Sequence, residues 1–358
     1  MSSPPEVIVP ESGRNRPEGS PDGRMDTTLL ARLRARLFSA TSPIWIFLVL
    51  VLMVATFGVL RPTEFLSTFD IQSIFTNAAV AMMLAVGMTY VIITAGIDLS
   101  VGSVLVLAGV VAVKTMNAIG GSNPDTIGWL AICAGLGVGV IAGLAGGVIN
   151  GALIAWLKIP PLIVTLGMFG IALGLADVLT SGVDLATVPS KLGATIGNGN
   201  LGPVPWLVII AVVVTVIGGL VLSQTRFGRH TYAIGSNDEA ARRAGINVPW
   251  HLVKVYAIAG ALSGLGGDLS LAHFTTTTIS GHLEDNLTAI SAVVIGGTSL
   301  FGGVGTMIGS VVGVFIPVVL ASGLVIMNVQ SFWQQVVTGL ILIVAVYFDQ
   351  VRRRSRNR

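Results

Sequence analysis

The chain has 358 residues, of which 53% are hydrophobic and only 10% charged. A soluble domain uses about 25% charged residues to cover its surface, so the composition excludes a water-soluble globular protein. The formal net charge of +3 matters less than its placement, since the basic residues gather at a few points along the chain as a topology signal and not as a nucleic-acid surface.

In chain order, residues 1–42 are polar, proline-rich and arginine-rich, with no apolar stretch ahead of a small-residue cleavage site. They read as a cytoplasmic N-terminal extension and not as a signal peptide, and residues 1–24 are too polar to fold alone. Residues 43–349 read as a transmembrane domain and 350–358 as a basic cytoplasmic tail. Ten apolar spans are predicted, at 43–60, 74–95, 101–118, 127–155, 160–180, 204–224, 253–272, 286–300, 304–325 and 331–348. The fold class is therefore an all-α polytopic membrane protein of about ten transmembrane helices. The span 286–300 is short for a hydrocarbon layer of about 30 Å and the span 127–155 is long. The links at Gly96-Ile97-Asp98-Leu99-Ser100 and Gly296-Gly297-Thr298-Ser299 are too short for solvent loops and read as helix breaks within the membrane zone.

With the N-terminus in the cytoplasm and ten crossings, the C-terminus is also inside. All but three of the 20 lysines and arginines then fall inside, the exceptions being Arg61, Lys114 and Lys191. That is a strong positive-inside bias, which eight spans would also preserve. Glycines recur every four positions at Gly135, Gly139, Gly143, Gly147 and Gly151, at Gly305, Gly309 and Gly313, and at Gly260 and Gly264. Such stripes let helix backbones approach closely where lipid supplies little hydrophobic drive.

The central polar loop, residues 226–245, carries a short helix with Ser236 as N-cap and Glu239 at N3, a capping-box spacing. Asp238 adds negative charge at its start, Arg242 and Arg243 lie near its end, and Gly245 suits the C′ position. Two turns of helix are marginal alone in water, so this one is either a well-capped connector or a docking element.

Other classes lack their residues. No lysine closes a Gly-Lys-Ser/Thr phosphate loop, so the chain holds no nucleotide site of its own. The single Cys133 and four scattered histidines offer no disulfide framework and no metal cluster, and no nucleophile–base pair argues for an enzyme. Ionisable groups near the spans are few: Asp98 at a break, Asp177 near an outer end, and Asp268 late in the seventh span. Asp268 is the odd one, read as facing an aqueous cavity, pairing with a polar neighbour or lying shallower than the span suggests.

The block from Ala85 through Gly96-Ile97-Asp98-Leu99-Ser100 to Ser103 resembles the signature region of the ribose/xylose-type permeases of bacterial ABC importers. Similar too are Asn150-Gly151 with Leu157 to Gly167, the loop from Phe227 to Gly245, Val293 to Gly303 with Gly305, and Phe332-Trp333-Gln334-Gln335. The likeness runs in order over about residues 45–349. It implies a ten-helix permease in the bacterial inner membrane, paired as a homodimer over separate ATPase modules that bind ATP and Mg, with a periplasmic binding protein delivering a monosaccharide. It implies no cofactor in this chain. The loop helix would be the coupling helix, with Ser236, Asn237, Asp238, Glu239, Arg242, Arg243 and Gly245 at the ATPase contact.

A neutral sugar calls for hydroxyl and amide partners. Asn77, Thr89, Thr94, Asn150 and Thr165 are candidates for its path, each equally suited to a helix–helix hydrogen bond. Asp98 and Ser100 are candidates to cap half-helices or shape a gate, and Gly296, Gly297, Thr298, Gly302 and Gly303 to form a turn beside it. Asp268, the segment His273 to Asp285 and the N-terminal extension depart from the family pattern, so the cargo stays open: ribose/xylose-like, or a polyol, furanose or signalling sugar. A secondary carrier without an ATPase and a purely structural membrane subunit are the readings from other classes.

Overall fold

In a computed structural model, residues 43–330 are described throughout, with positions 332–337, 339, 340, 343, 344 and 347 beyond them. The described residues all belong to one compact unit. The N-terminal extension, the basic tail and much of the expected span 331–348 lie outside the described residues.

The apolar runs form helices α1 (Pro43–Leu60), α2 (Thr68–Ile93), α3 (Val101–Gly120), α4 (Trp129–Ala155), α5 (Pro161–Thr180) and α6 (Trp206–Gln224). Two helices of the central loop follow, α7 (Arg226–Ser236) and α8 (Asp238–Arg243), and then α9 (Val248–Phe274), α10 (Asp285–Ile295) and α11 (Met307–Ile326). A two-strand hairpin, β1 (Asn200–Leu201) with β2 (Val204–Pro205), precedes α6. Among the described residues seven helices, α2 to α6, α9 and α11, are long and apolar enough to cross a membrane. The ten expected spans therefore reduce to seven by that measure. The described side chains of α1 cover only Ile46–Leu60, and α10 has 11 residues, about 16 Å of helix, which falls short of the hydrocarbon layer.

The free N–H groups at the helix starts are met by side chains or removed by prolines. Ser67 Oγ accepts from Asp70 N (3.1 Å) at the start of α2, and Thr306 Oγ1 accepts from Gly309 N (3.1 Å) at the start of α11. Asn247 Oδ1 accepts from Trp250 N (3.3 Å) at α9, whereas α5 opens on Pro161, whose missing N–H needs no partner.

Helix α2 is the most enclosed span, with Met83, Met88, Tyr90, Ile92 and Ile93 nearly sealed from the surface. It packs on α9 to one side and on α6, α10 and α11 to the other, while α4 covers α9 and α3. The glycine stripes build these seams. A Cβ on Gly143 would lie 2.8 Å from Gly264 Cα, and one on Gly260 would lie 2.8 Å from Gly147 Cα. Gly296 and Gly309 abut in the same way between α10 and α11.

Asp268 lies in this packing on α9, beside Gly139 of α4, only 5% exposed and with no hydrogen-bond partner on either carboxylate oxygen. It neither pairs with a polar neighbour nor reaches open solvent, which corrects the expectations of a polar partner and of an aqueous cavity. A buried polar group without a partner costs about 1–3 kcal/mol. Asp268→Ala is thus expected to raise the thermal midpoint of the purified protein in detergent; a clear fall would show that the carboxylate has a partner.

Candidate functional site

The first break sits between α2 and α3. Ala95 takes a left-handed backbone (φ 62°), which turns the chain, and Ile97 to Ser100 then run without helical partners of their own. Asp98 Oδ1 accepts from both the backbone N (2.8 Å) and Oγ (2.6 Å) of Ser100. Asn150 Nδ2 on α4 donates to Ser100 Oγ (2.8 Å). Asn286 Nδ2 on α10 donates to the Leu99 carbonyl (2.9 Å). The hydroxyls of Tyr256 on α9 and Thr165 on α5 approach the Ile97 carbonyl at 3.4 and 3.5 Å, and Thr165 also donates to Pro161 O (2.9 Å). Four helices thus hold a link whose backbone would otherwise be unsatisfied.

The second break runs from Gly296 to Gly305. Gly297, Gly302 and Gly303 have φ of 90°, 81° and 73°, a region open to glycine at little cost. Its buried Thr298 donates its N–H to Val293 O (3.1 Å). The two breaks touch, because Gly303 N donates to Ile93 O (2.9 Å) at the end of α2.

The central loop rests on the same point. Tyr232 OH on α7 donates to Gly305 O (2.8 Å); burial raises this phenol above its ordinary range, so it stays a donor at neutral pH. Gly235 lies against Ile93 O, and a Cβ there would come within 2.6 Å of Gly303 N. One residue on, Ser236 contacts Gly303. Helix α8 seats Ala241 against Ile234 and Val248 and leaves its charged face outside.

The N-cap of α8 is Asn237, not Ser236. The chain stays helical through Ser236 as the last residue of α7, and Asn237 is the extended residue (φ −165°) whose Oδ1 accepts from Ala240 N (2.9 Å). Glu239 therefore stands at N2, and the capping box does not form. Arg242 pairs with Asp238 (3.7 Å) and Arg243 with Glu239. Gly245 takes φ 85° and returns its N–H to Arg242 O (3.0 Å). Loss of an N-cap costs about 1 kcal/mol, so Asn237→Ala is expected to speed hydrogen exchange at the Ala240 amide about fivefold; unchanged protection would mean that the cap is idle.

A cavity of about 980 Å3 opens between the starts of α2 and α10 and the end of α11. Asn77 lines it, with Ser73, Asp70, Asp285, Thr288 and Ser322. Asn77 lies nine residues into α2, roughly 14 Å along it. Of the sequence candidates, Asp98, Ser100, Asn150 and Thr165 converge on the first break, Gly296, Gly297 and Thr298 form the second, and Asn77 alone lines the cavity. Thr89 Oγ1 instead donates to Ala85 O (2.6 Å) and lies in hydrogen-bond contact with Ser310 Oγ (2.8 Å), joining α2 to α11. Thr94 donates to Val91 O (2.8 Å) within its own turn. Sequence reasoning missed Asn286, Tyr256 and Tyr232, which are polar groups in or beside apolar helices aimed at carbonyls far away in the chain.

Residues 71–346 match the family described as branched-chain amino acid transport system / permease component. The fructose import permease protein of Rhizobium meliloti is 34% identical over 92% of this chain and 91% of its own length. An autoinducer 2 import system permease protein of Photorhabdus luminescens is 32% identical, over 84% and 88%. The ribose import permease protein of Bacillus subtilis (strain 168) is 37% identical, over 85% and 91%. No solved structure matches the chain. The family match over residues 71–346 and relatives at 34% and 37% identity over most of both lengths show that the chain belongs to this permease family, as a sugar permease subunit of an ABC importer.

Proposed function

We propose that the chain works in a bacterial inner membrane, two copies over two ATPase modules, passing cargo that a periplasmic binding protein delivers. The observation that carries this is the seating of α7 and α8: Gly235 and Ser236, directly before α8, touch the ends of both broken spans. A partner that moves α8 therefore moves both breaks together. Nucleotide binding outside this chain then shifts a two-state bundle between outward and inward openings. ATP and Mg belong to the partner.

The ten-span topology with both termini cytoplasmic is part of the proposal. Ser322 Oγ near the end of α11 donates to Asp70 Oδ1 (2.7 Å) near the start of α2, while Gly305, just before α11, meets Tyr232 of the polar loop. Helix α10 and the segment 296–305 together thus lead from the Asp70 end to the loop end, as one crossing with a break in it. The expected span 331–348 completes the count.

The named cargoes of the relatives range over fructose, ribose and autoinducer 2. That breadth favours a cargo class of monosaccharides with furanose, polyol or signalling sugars over a ribose/xylose specialist. The test is uptake of labelled D-fructose, D-ribose, D-allose, D-galactose and polyols into proteoliposomes holding this chain, its ATPase and its binding protein. Uptake of one of them that vanishes without ATP is expected. Uptake driven by a proton gradient with the ATPase left out would overturn the reading.

A further inference from the structure

The cavity between α2, α10 and α11 has a charge pattern of its own. Its wall holds the carboxylates of Glu64, Asp70, Glu284 and Asp285, and neither a lysine nor an arginine is among the described residues lining it. Two of the four carry partial compensation. Arg61 stands 3.9 Å from Glu64, both about half exposed, and His282 Nδ1 lies 2.7 Å from Asp285 Oδ2. The imidazole is 93% enclosed and is held at its other nitrogen by Ser270 Oγ (2.7 Å). Asp70 accepts from Ser322 Oγ through one oxygen (2.7 Å), while its other oxygen is buried without a donor. Thr278 Oγ1, on the same wall, is likewise buried without a partner. Asn77 and Phe69 on α2 are exposed within it, and an amide on a membrane-crossing helix is tolerated where it meets water and not lipid.

A concave wall of one sign focuses its field on whatever enters. A phosphate or carboxylate on a sugar is repelled there, whereas a neutral polyhydroxylated molecule brings the hydroxyl donors that Asp70 and Thr278 lack. Building on the permease assignment above, we infer that this cavity is the cargo vestibule, that it admits uncharged polyhydroxylated molecules and rejects anionic sugars, and that Asp70 and Asp285 set this selection. Asp285 also adjoins Asn286, which holds the Leu99 carbonyl of the first break, so a cargo lying on Asp285 rests one residue from the gate.

The test needs neither cargo nor ATPase. In a Cys133→Ala background, Asn77→Cys is exposed in native membranes to a cationic and to an anionic methanethiosulfonate of similar size. Asn200→Cys in the exposed hairpin serves as reference. The cationic-to-anionic rate ratio is expected to be about tenfold higher at position 77 than at position 200. Asp70→Asn combined with Asp285→Asn should return most of that difference. Equal ratios at the two positions, or no reaction at position 77, would overturn the inference. Sugar uptake by the assembled importer remains a separate measurement, so a failed vestibule and a failed permease reading give different results.

Discussion

Gly260→Leu is expected to abolish most accumulation of folded protein in the membrane. Gly260 on α9 faces Gly147 N at 2.7 Å and Gly147 Cα at 2.8 Å, as measured from where its Cβ would stand. Backbone, and not the tip of a flexible side chain, occupies that space, so a leucine fits only if α4 and α9 separate. Separation also opens the neighbouring contacts at Gly143, Gly151 and Gly264, because one tilt of the helix pair serves all of them. Overpacking costs about 1–3 kcal/mol and occasionally more, and helix association in lipid has little hydrophobic drive to offset it. Gly137→Leu on α4 is the control, since nothing lies within 4 Å of a Cβ there. Size-exclusion of a fluorescent fusion should show a monodisperse peak for Gly137→Leu and little but aggregate for Gly260→Leu. Equal peaks would mean that the seam tolerates separation and that the stripe is not what holds it.

The stripe was readable in the sequence because spacing by four and small size are local properties of one strand of text. The two breaks were readable for a related reason: glycines with Asp98 and Ser100 interrupt apolar runs too closely spaced for a solvent loop. What the breaks rest on was not readable. Asn286 reaches Leu99 and Tyr256 reaches Ile97 across more than a hundred residues, and no periodicity marks such a pairing. The break inside 286–300 was not legible, because hydropathy sums apolar residues and does not register that the helix ends at Ile295 before a glycine turn. The cap of α8 moved by one residue because a cap is set by where the backbone becomes extended, at Asn237, and Ser236 has an equally good hydroxyl in the wrong conformation. The cavity escaped notice since its wall comes from α2, the segment before α10, α10 and α11, and no single stretch shows it. Asp268 is legible as a lone carboxylate in an apolar run, but its neighbour Gly139 on α4 is not, because it lies more than a hundred residues away in the chain.

Reversing Arg242 and Arg243 to glutamate is expected to cut ATP-driven uptake at least about tenfold while the permease itself accumulates within about twofold of normal, the size of loss that follows when one charged anchor at a docking surface is removed. Both side chains are exposed, and they pair one turn back with Asp238 and Glu239. Exposed pairs of that kind contribute about 0.3–0.5 kcal/mol, and none of them holds α9 or either break. The reversal does put like charges at i,i+4 and acids at the helix C-terminus, which loosens α8. A second variant separates like-charge repulsion from docking: Asp238→Arg and Glu239→Arg added to the two reversals restore both intrahelical pairs with opposite orientation, still against the helix dipole. If α8 is only a connector, this fourfold variant should recover uptake. If it presents its charges to an ATPase, uptake should stay low and the ATPase should fail to copurify. Gly235→Val then probes the other side of the same junction. Its side chain would push into Ile93 O and Gly303 N, so the ATPase should still bind through an unaltered α8 while uptake is lost. Bound ATPase with normal uptake in that variant would show that movement of α8 does not pass through Gly235 to the two breaks.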